Sequence, residues 1–210
     1  MYCVQLVRLR SRYVSKATHS FTTNSLTMPV AIVTGSNKGI GFATVRALCG
    51  KFPGDVYLTS RSEERGQAAV KTLREEGLDP KFHVLDIGNE QTIVKLREFI
   101  EEKYGGIDVL VNNAGIAFNV DATEAFAVQA KVTLETNYWA NKRACEILFP
   151  LLNPGARVVN VSSSCGFLGQ LVKRVSMRSE KRLGNCVVLR LLLRTRPRLR
   201  SSPTSSPLRT

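Results

Sequence analysis

The chain is poor in the residues that build metal and disulfide sites. Its five cysteines, Cys3, Cys49, Cys145, Cys165 and Cys186, form an odd set without CxxC spacing, and its two histidines, His19 and His83, lie far apart. That argues against a zinc site or a disulfide framework and for reduced thiols in an intracellular protein. Long apolar runs are missing too: the most apolar late stretch, 186–194, is broken by Arg190 and falls short of the roughly 18 residues a bilayer requires, so no membrane partner is expected. Acids are scarce at both ends. Residues 1–28 carry Arg8, Arg10, Arg12 and Lys16 with no acid, and residues 170–210 carry the single acid Glu180 among many arginines and lysines. The net charge of +13 therefore belongs to the ends, and the middle is close to neutral. Basic tails of this kind bind phosphate non-specifically at most, so no specific nucleic-acid partner is expected. Finally, no tyrosine follows Tyr138.

What is present suits one soluble domain: 210 residues, 43% hydrophobic, can bury a sizeable core. Three segments are expected, a basic N-terminal extension (1–28), a folded domain (29–169) and a basic, Arg/Ser/Pro-rich tail (170–210) that cannot bury a core. The extension has two readings. It has the composition of a mitochondrial transit peptide, and it is also what a start upstream of Met28 would add to a cytoplasmic domain, the reading favoured here.

From Pro29 short apolar runs alternate with helical stretches. Strands are expected over 30–34, 55–60, 81–87, within 107–115, where the strand runs into a turn, and over 156–163; the intervening helices end near Cys49, cover 62–76 with Gly77 as C-cap, cover 90–104, and run from 122 to 152 with one break. Strands separated by helices imply right-handed crossovers and a Rossmann-type, doubly wound parallel α/β sheet. Here it is incomplete, about five strands with disordered basic ends, and stopping there leaves an apolar edge.

"TGSNKGIG", Thr34 to Gly41, lies between the first strand and first helix. Glycines there let backbone approach a pyrophosphate at the helix N-terminus. The second strand ends "LTSRSEER", with Arg61 where an NAD-selective acid would bond the ribose, and Lys38 in the glycine loop adds a second cation. Two cations suit a 2′-phosphate, so NADP(H) is the expected cofactor.

With "LDI" at Asp86, "NNAG" at 112–115, "TN" at Asn137 and "RVVNVSS", the pattern over 29–169 resembles the short-chain dehydrogenase/reductase family, and within it the monomeric NADPH-dependent carbonyl reductases. The resemblance implies that Gly35, Ser36, Asn37, Lys38, Gly39, Ile40 and Gly41 cradle the coenzyme, with Arg65 assisting Arg61 at the phosphate. It also implies that Asp86 and Ile87 border the adenine, and Asn113, Ala114 and Gly115 the adenosine ribose region. Asn137 and Ser163 match two members of the family's catalytic Asn-Ser-Tyr-Lys set, Ser163 bonding the carbonyl of a small-molecule substrate. The Tyr-x-x-x-Lys helix expected after Ser163 is missing. The "YWANK" of 138–142 precedes the serine; on an α-helix Tyr138 would turn about 100° from Asn137, and Lys142 about 140°. A monomeric, truncated isoform is implied. Its expected function is NADPH-dependent reduction of ketones, aldehydes or quinones at weak or zero rate, or non-catalytic NADP binding in a regulatory fragment.

Overall fold

The computed structural model describes residues 28–119 and 121–163, together with the backbone of residues 2–8. The expected tail, and any helix after Ser163, lie outside the described residues.

Five parallel strands follow the expected order: β2 (Val30–Val33), β3 (Asp55–Ser60), β4 (Lys81–Val84), β5 (Ile107–Asn112) and β6 (Leu152–Ser163). They lie in the spatial order β6-β5-β2-β3-β4, so the chain steps outward from β2 to β4 and then restarts on the other side at β5. This reversal opens a crevice between the carboxyl ends of β2 and β5, the usual ligand position in such sheets.

Both faces are covered. Val30 and Ile32 point to the cluster built with α3 (Glu90–Tyr104) and α5 (Asn141–Leu148), which includes Ile93, Leu96, Ile100 and Leu148. Ala31 and Val33 point the other way, to Val45 of α1 (Gly39–Cys49) and to Ala69, Val70 and Leu73 of α2 (Glu63–Glu75). Two buried faces require near-continuous apolar strands, and β2 reads VAIV for that reason. Helix ends follow local chemistry. Ser62 caps α2 by accepting from the Arg65 N–H at 3.3 Å, and Gly77 beyond it adopts φ +82; Asn89 caps α3, which stops at Gly105 with φ +72.

Strand ends are shifted, with β5 stopping at Asn112 and β6 starting at Leu152, and three further details depart from the sequence reading. β4 ends at Val84: after a last bond to β3, from Leu85 N–H to Ser60 O at 3.0 Å, Asp86 folds into a turn in which its Oδ1 accepts from Gly88 N–H at 2.9 Å. The long helix is in three pieces, α4 (Phe126–Leu134), a π-helical turn (Glu135–Ala140) and α5, with a 3-10 turn after it. α4 buries none of its residues, and Phe126 is 84% exposed. Third, the extension is not wholly without structure. Its residues form β1 (Tyr2–Arg8), antiparallel to β6, at the edge that the sequence reading left open; an extended segment there pairs the side of β6 that faces away from β5.

Candidate functional site

The first turn after β2 is bolted to its neighbours on both sides. Ser36 is fully buried; its N–H bonds Thr59 O at 2.8 Å, its hydroxyl donates to Val33 O at 2.8 Å and accepts from Thr59 N–H at 2.9 Å. Its part is therefore to hold the turn. On the β5 side, Thr34 Oγ1 accepts from the N–H groups of Asn113 and Ala114, both at 3.0 Å. Asn113 Nδ2 returns two bonds, to Thr34 O at 3.0 Å and Gly35 O at 2.9 Å. Strands on either side of the crevice are thus joined by four hydrogen bonds within a few residues.

The glycines divide by cause. A Cβ on Gly35 would lie 2.8 Å from Ala114 Cα, and one on Gly41 would lie 2.4 Å from Asn113 Nδ2 and 2.8 Å from Gly35 O. Both are glycine because the two turns pack together. Gly35 and Gly39 both adopt a left-handed φ, +61 and +60, but at Gly39 a Cβ would meet nothing within 4 Å, so there the φ alone calls for glycine. The Gly39 backbone faces open space at the start of α1, where no side chain caps the helix and no acid stands in the first turn. Free N–H groups and the positive end of the helix dipole are exposed at that point.

Beside it runs a groove lined by Asn37, Lys38, Phe42, Arg65, Ala68, Ala69 and Thr72. α2 lies close enough to form its wall because Gly66 packs on the ring of Phe82, where a Cβ would fall 2.0 Å from Cε2. Lys38 and Arg65 share this groove; Arg61 stands exposed just past the end of β3 and is not among its lining residues. Among the described residues none of these three cations has a carboxylate partner. Open glycine backbone, an uncapped helix start and unpaired cations together suit a ligand carrying a diphosphate and a further phosphate. Of the other expected coenzyme contacts, Asp86 is half-buried with Oδ1 engaged by Gly88, Ile87 is buried in the core, and Ile40 is partly covered.

The catalytic candidates sit across the crevice. Asn137, in the π-helical turn, grips Ile116 twice: Nδ2 donates to Ile116 O and Oδ1 accepts from Ile116 N–H, both at 2.8 Å. Asn141 adds a bond to Ala114 O at 3.0 Å. Sequence reasoning missed Asn141 and Thr34 as organisers of this turn; the spacing of Asn141, four residues after Asn137, was the available signal. Because hydrogen bonding widens over 135–140, the α-helical angles assumed for Tyr138 and Lys142 do not apply there. The Tyr138 ring packs edge-on against Trp139 at 4.7 Å, and Lys142 pairs with Glu146 on the surface. Ser162 and Ser163 are exposed at the carboxyl end of β6. Two residues earlier, Asn160 accepts from Asn112 Nδ2 at 2.9 Å, and the same group reaches Cys145 Sγ at 3.4 Å. Burial pushes the Cys145 thiol up to about 11. Among the described residues no cluster of His, Cys, Asp and Glu could hold a metal, and no helix is long and apolar enough to cross a membrane.

The short chain dehydrogenase family profile matches residues 29–175. Curated relatives include carbonyl reductase (NADPH) 3 of Rattus norvegicus, 60% identical over 137 residues, covering 65% of this chain and 50% of the relative. Carbonyl reductase (NADPH) 1 of Mus musculus is 58% identical over 139 residues, covering 66% and 50%. The chain thus spans about half the length of the curated relatives it matches. Among solved structures, menthone neomenthol reductase from Mentha piperita aligns with a TM-score of 0.53 at 32% identity, over 60% of this chain and 56% of that one. A metagenomic short-chain oxidoreductase in complex with NADP aligns with a TM-score of 0.50 at 28% identity, over 59% and 56%.

Proposed function

The chain belongs to the short chain dehydrogenase family, and from that premise we propose that it binds NADP(H) and keeps the coenzyme half of a reductase of small ketones, aldehydes or quinones. The observation that carries the coenzyme reading is the groove lined by both Lys38 and Arg65, neither with a carboxylate partner among the described residues, beside the open backbone of Gly39. Arg61, next along the chain from β3, adds positive charge where an NAD-selective acid would stand.

The coenzyme, when bound, would supply the hydride that reduces the carbonyl carbon. Ser163 would donate a hydrogen bond to the carbonyl oxygen, and Asn137 with Asn141 holds the 113–116 turn on which the ribose would rest. A proton must reach that oxygen as it becomes an alcohol. No tyrosine follows Tyr138, and Lys142 is paired with Glu146. Loss of a general acid lowers the rate by about 10²–10⁴, which supports weak or absent turnover in this chain. The same observation favours a second reading, a non-catalytic NADP-binding or regulatory fragment.

Fluorescence titration with NADPH and NADH tests the coenzyme reading. NADPH should bind more tightly by about tenfold or more, and Lys38→Ala or Arg65→Ala should each remove roughly 1.5–3 kcal/mol of that binding, the worth of a charge-assisted hydrogen bond. Equal affinity for the two coenzymes, or none, overturns it. Consumption of NADPH with a quinone then separates the two readings, since turnover above buffer rejects the non-catalytic one.

A further inference from the structure

α1 and α2 run side by side on one face of the sheet, since the strands before them, β2 and β3, are parallel neighbours and both helices pack into one cluster. Each starts at the crevice end and returns toward the other. Lys38, Phe42 and Arg46 stand four residues apart at the start of α1 and along it, while Arg65, Ala69, Thr72 and the cap residue Glu76 stand three or four apart along α2, so each set shares one helix face. The groove lies between these faces. At the crevice end it carries two cations, Lys38 and Arg65, which repel each other. Beyond its far end Arg46 Nε and Nη2 donate to Glu76 Oε2 and Oε1, each at 2.6 Å.

This ion pair ties distant parts of the chain. Its members are 30 residues apart, whereas the other ion pairs among the described residues join side chains eight or fewer apart. It is also bidentate, the arrangement in which a surface pair fixes position as well as charge. Glu76 caps the C-terminal end of α2, where an acid opposes the helix dipole; its place is explained by Arg46 and not by α2. The Arg46 guanidinium lies over the Phe42 ring, 4.9 Å from the centroid, and Phe42 lines the groove. The ion pair therefore braces the same aromatic side chain that walls the groove.

We infer that Arg46 and Glu76 are positioning residues for the coenzyme phosphate: their ion pair, with the Phe42 ring, sets the distance between α1 and α2 and so the span between Lys38 and Arg65. This rests on the NADP(H) reading above and deepens it by naming what fixes the width of the groove. The sign of one substitution separates positioning from plain electrostatics. Arg46 is two helical turns past Lys38, about 12 Å along α1, beyond the screening length of about 8 Å at physiological salt. What field Glu76 still exerts at the groove repels a phosphate, so by charge alone Glu76→Gln leaves NADPH binding unchanged or tightens it. Positioning requires that it weaken.

Fluorescence titration of the full chain with NADPH and NADH, for the parent, Glu76→Gln, Arg46→Gln and the double variant, provides the test. Each single change should weaken NADPH binding by about three- to tenfold, and NADH binding, which lacks the phosphate, by at most about twofold. The double variant should be no more than about twofold worse than the weaker single one, because the two side chains act as one unit. Arg46→Lys, which keeps the charge and loses the two-bond fork, should fall between parent and Arg46→Gln, and it serves as the readout should Arg46→Gln fold poorly. Melting midpoints should move by no more than about 3 °C, since exposed ion pairs add little stability. Unchanged or tighter NADPH binding by Glu76→Gln, equal loss of both coenzymes, or losses that multiply in the double variant overturn the inference. A parent that prefers NADPH while its variants bind like it defeats positioning alone; a parent without that preference defeats the coenzyme reading, and this inference with it.

Discussion

Replacing Gly41 and Gly39 separately by alanine should divide folding from ligand binding within one turn. At Gly41 the new methyl would lie 2.4 Å from Asn113 Nδ2 and 2.8 Å from both Gly35 O and Ser36 Cα. Two of those three neighbours are backbone and cannot yield. The third can move only by giving up its bonds to Thr34 O and Gly35 O, a loss of roughly 2 kcal/mol at about 1 kcal/mol each. Overpacking adds about 1–3 kcal/mol, and the better helix propensity of alanine returns at most about 1 kcal/mol. The net loss for Gly41→Ala is about 2–4 kcal/mol, a fall in melting midpoint of roughly 10 °C for a domain of this size. Gly39→Ala meets no neighbour within 4 Å and carries only the left-handed φ of +60, about 1–2 kcal/mol. Its methyl would project where the diphosphate is proposed to sit, so NADPH affinity should drop further than stability. Thermal melts and coenzyme titration of both variants provide the check. A Gly41→Ala protein as stable as the parent, or one hurt less than Gly39→Ala, would refute the packing account of this turn.

Three other outcomes are expected. Asn137→Ala should cost about 1–2 kcal/mol in denaturant titration for its two bonds to Ile116, with Asn137→Asp intermediate because it still accepts from Ile116 N–H but cannot donate to Ile116 O. His83, half-buried against the Phe99 ring at 5.2 Å, is held below its ordinary 6.5 by burial. Its native form binds the proton less readily than the unfolded chain, so stability contributed by neutral His83 is present above about pH 6.5 and declines as pH falls through that value; His83→Gln should flatten this part of the pH profile of unfolding. At pH 8 alkylation should reach Cys49 before Cys145, whose thiol is raised to about 11 by burial, and the two should react alike once the chain is unfolded; faster native labelling of Cys145 would contradict its burial beside Asn112.

Much of the fold was legible because its signals are local. VAIV and DVYLTS are apolar enough for two buried faces, and Gly77, Gly105 and the caps Ser62 and Asn89 mark helix ends through backbone geometry and short-range hydrogen bonds. The glycine turn was legible as a turn, though not the division of labour inside it. Whether a glycine is required by a left-handed φ or by an approaching neighbour depends on Ala114 and Asn113, more than 70 residues downstream. Arg65 was expected as an assistant to Arg61, yet it is Arg65 that shares the groove with Lys38, because Gly66 lets α2 settle against Phe82. The π-helical turn, which ties Asn137 and Asn141 to one loop, has no local signature either.

Order of strands along the chain, the polarity of their two faces and the place of the glycine turn were therefore determined by sequence alone, since periodicity and glycine position act over a few residues. Tertiary structure decided which side chains meet at the crevice between β2 and β5, and which strand closes the edge at β6. Both depend on the pairing of segments far apart in the chain, where an amide opposite an amide and a valine opposite a valine fix the register.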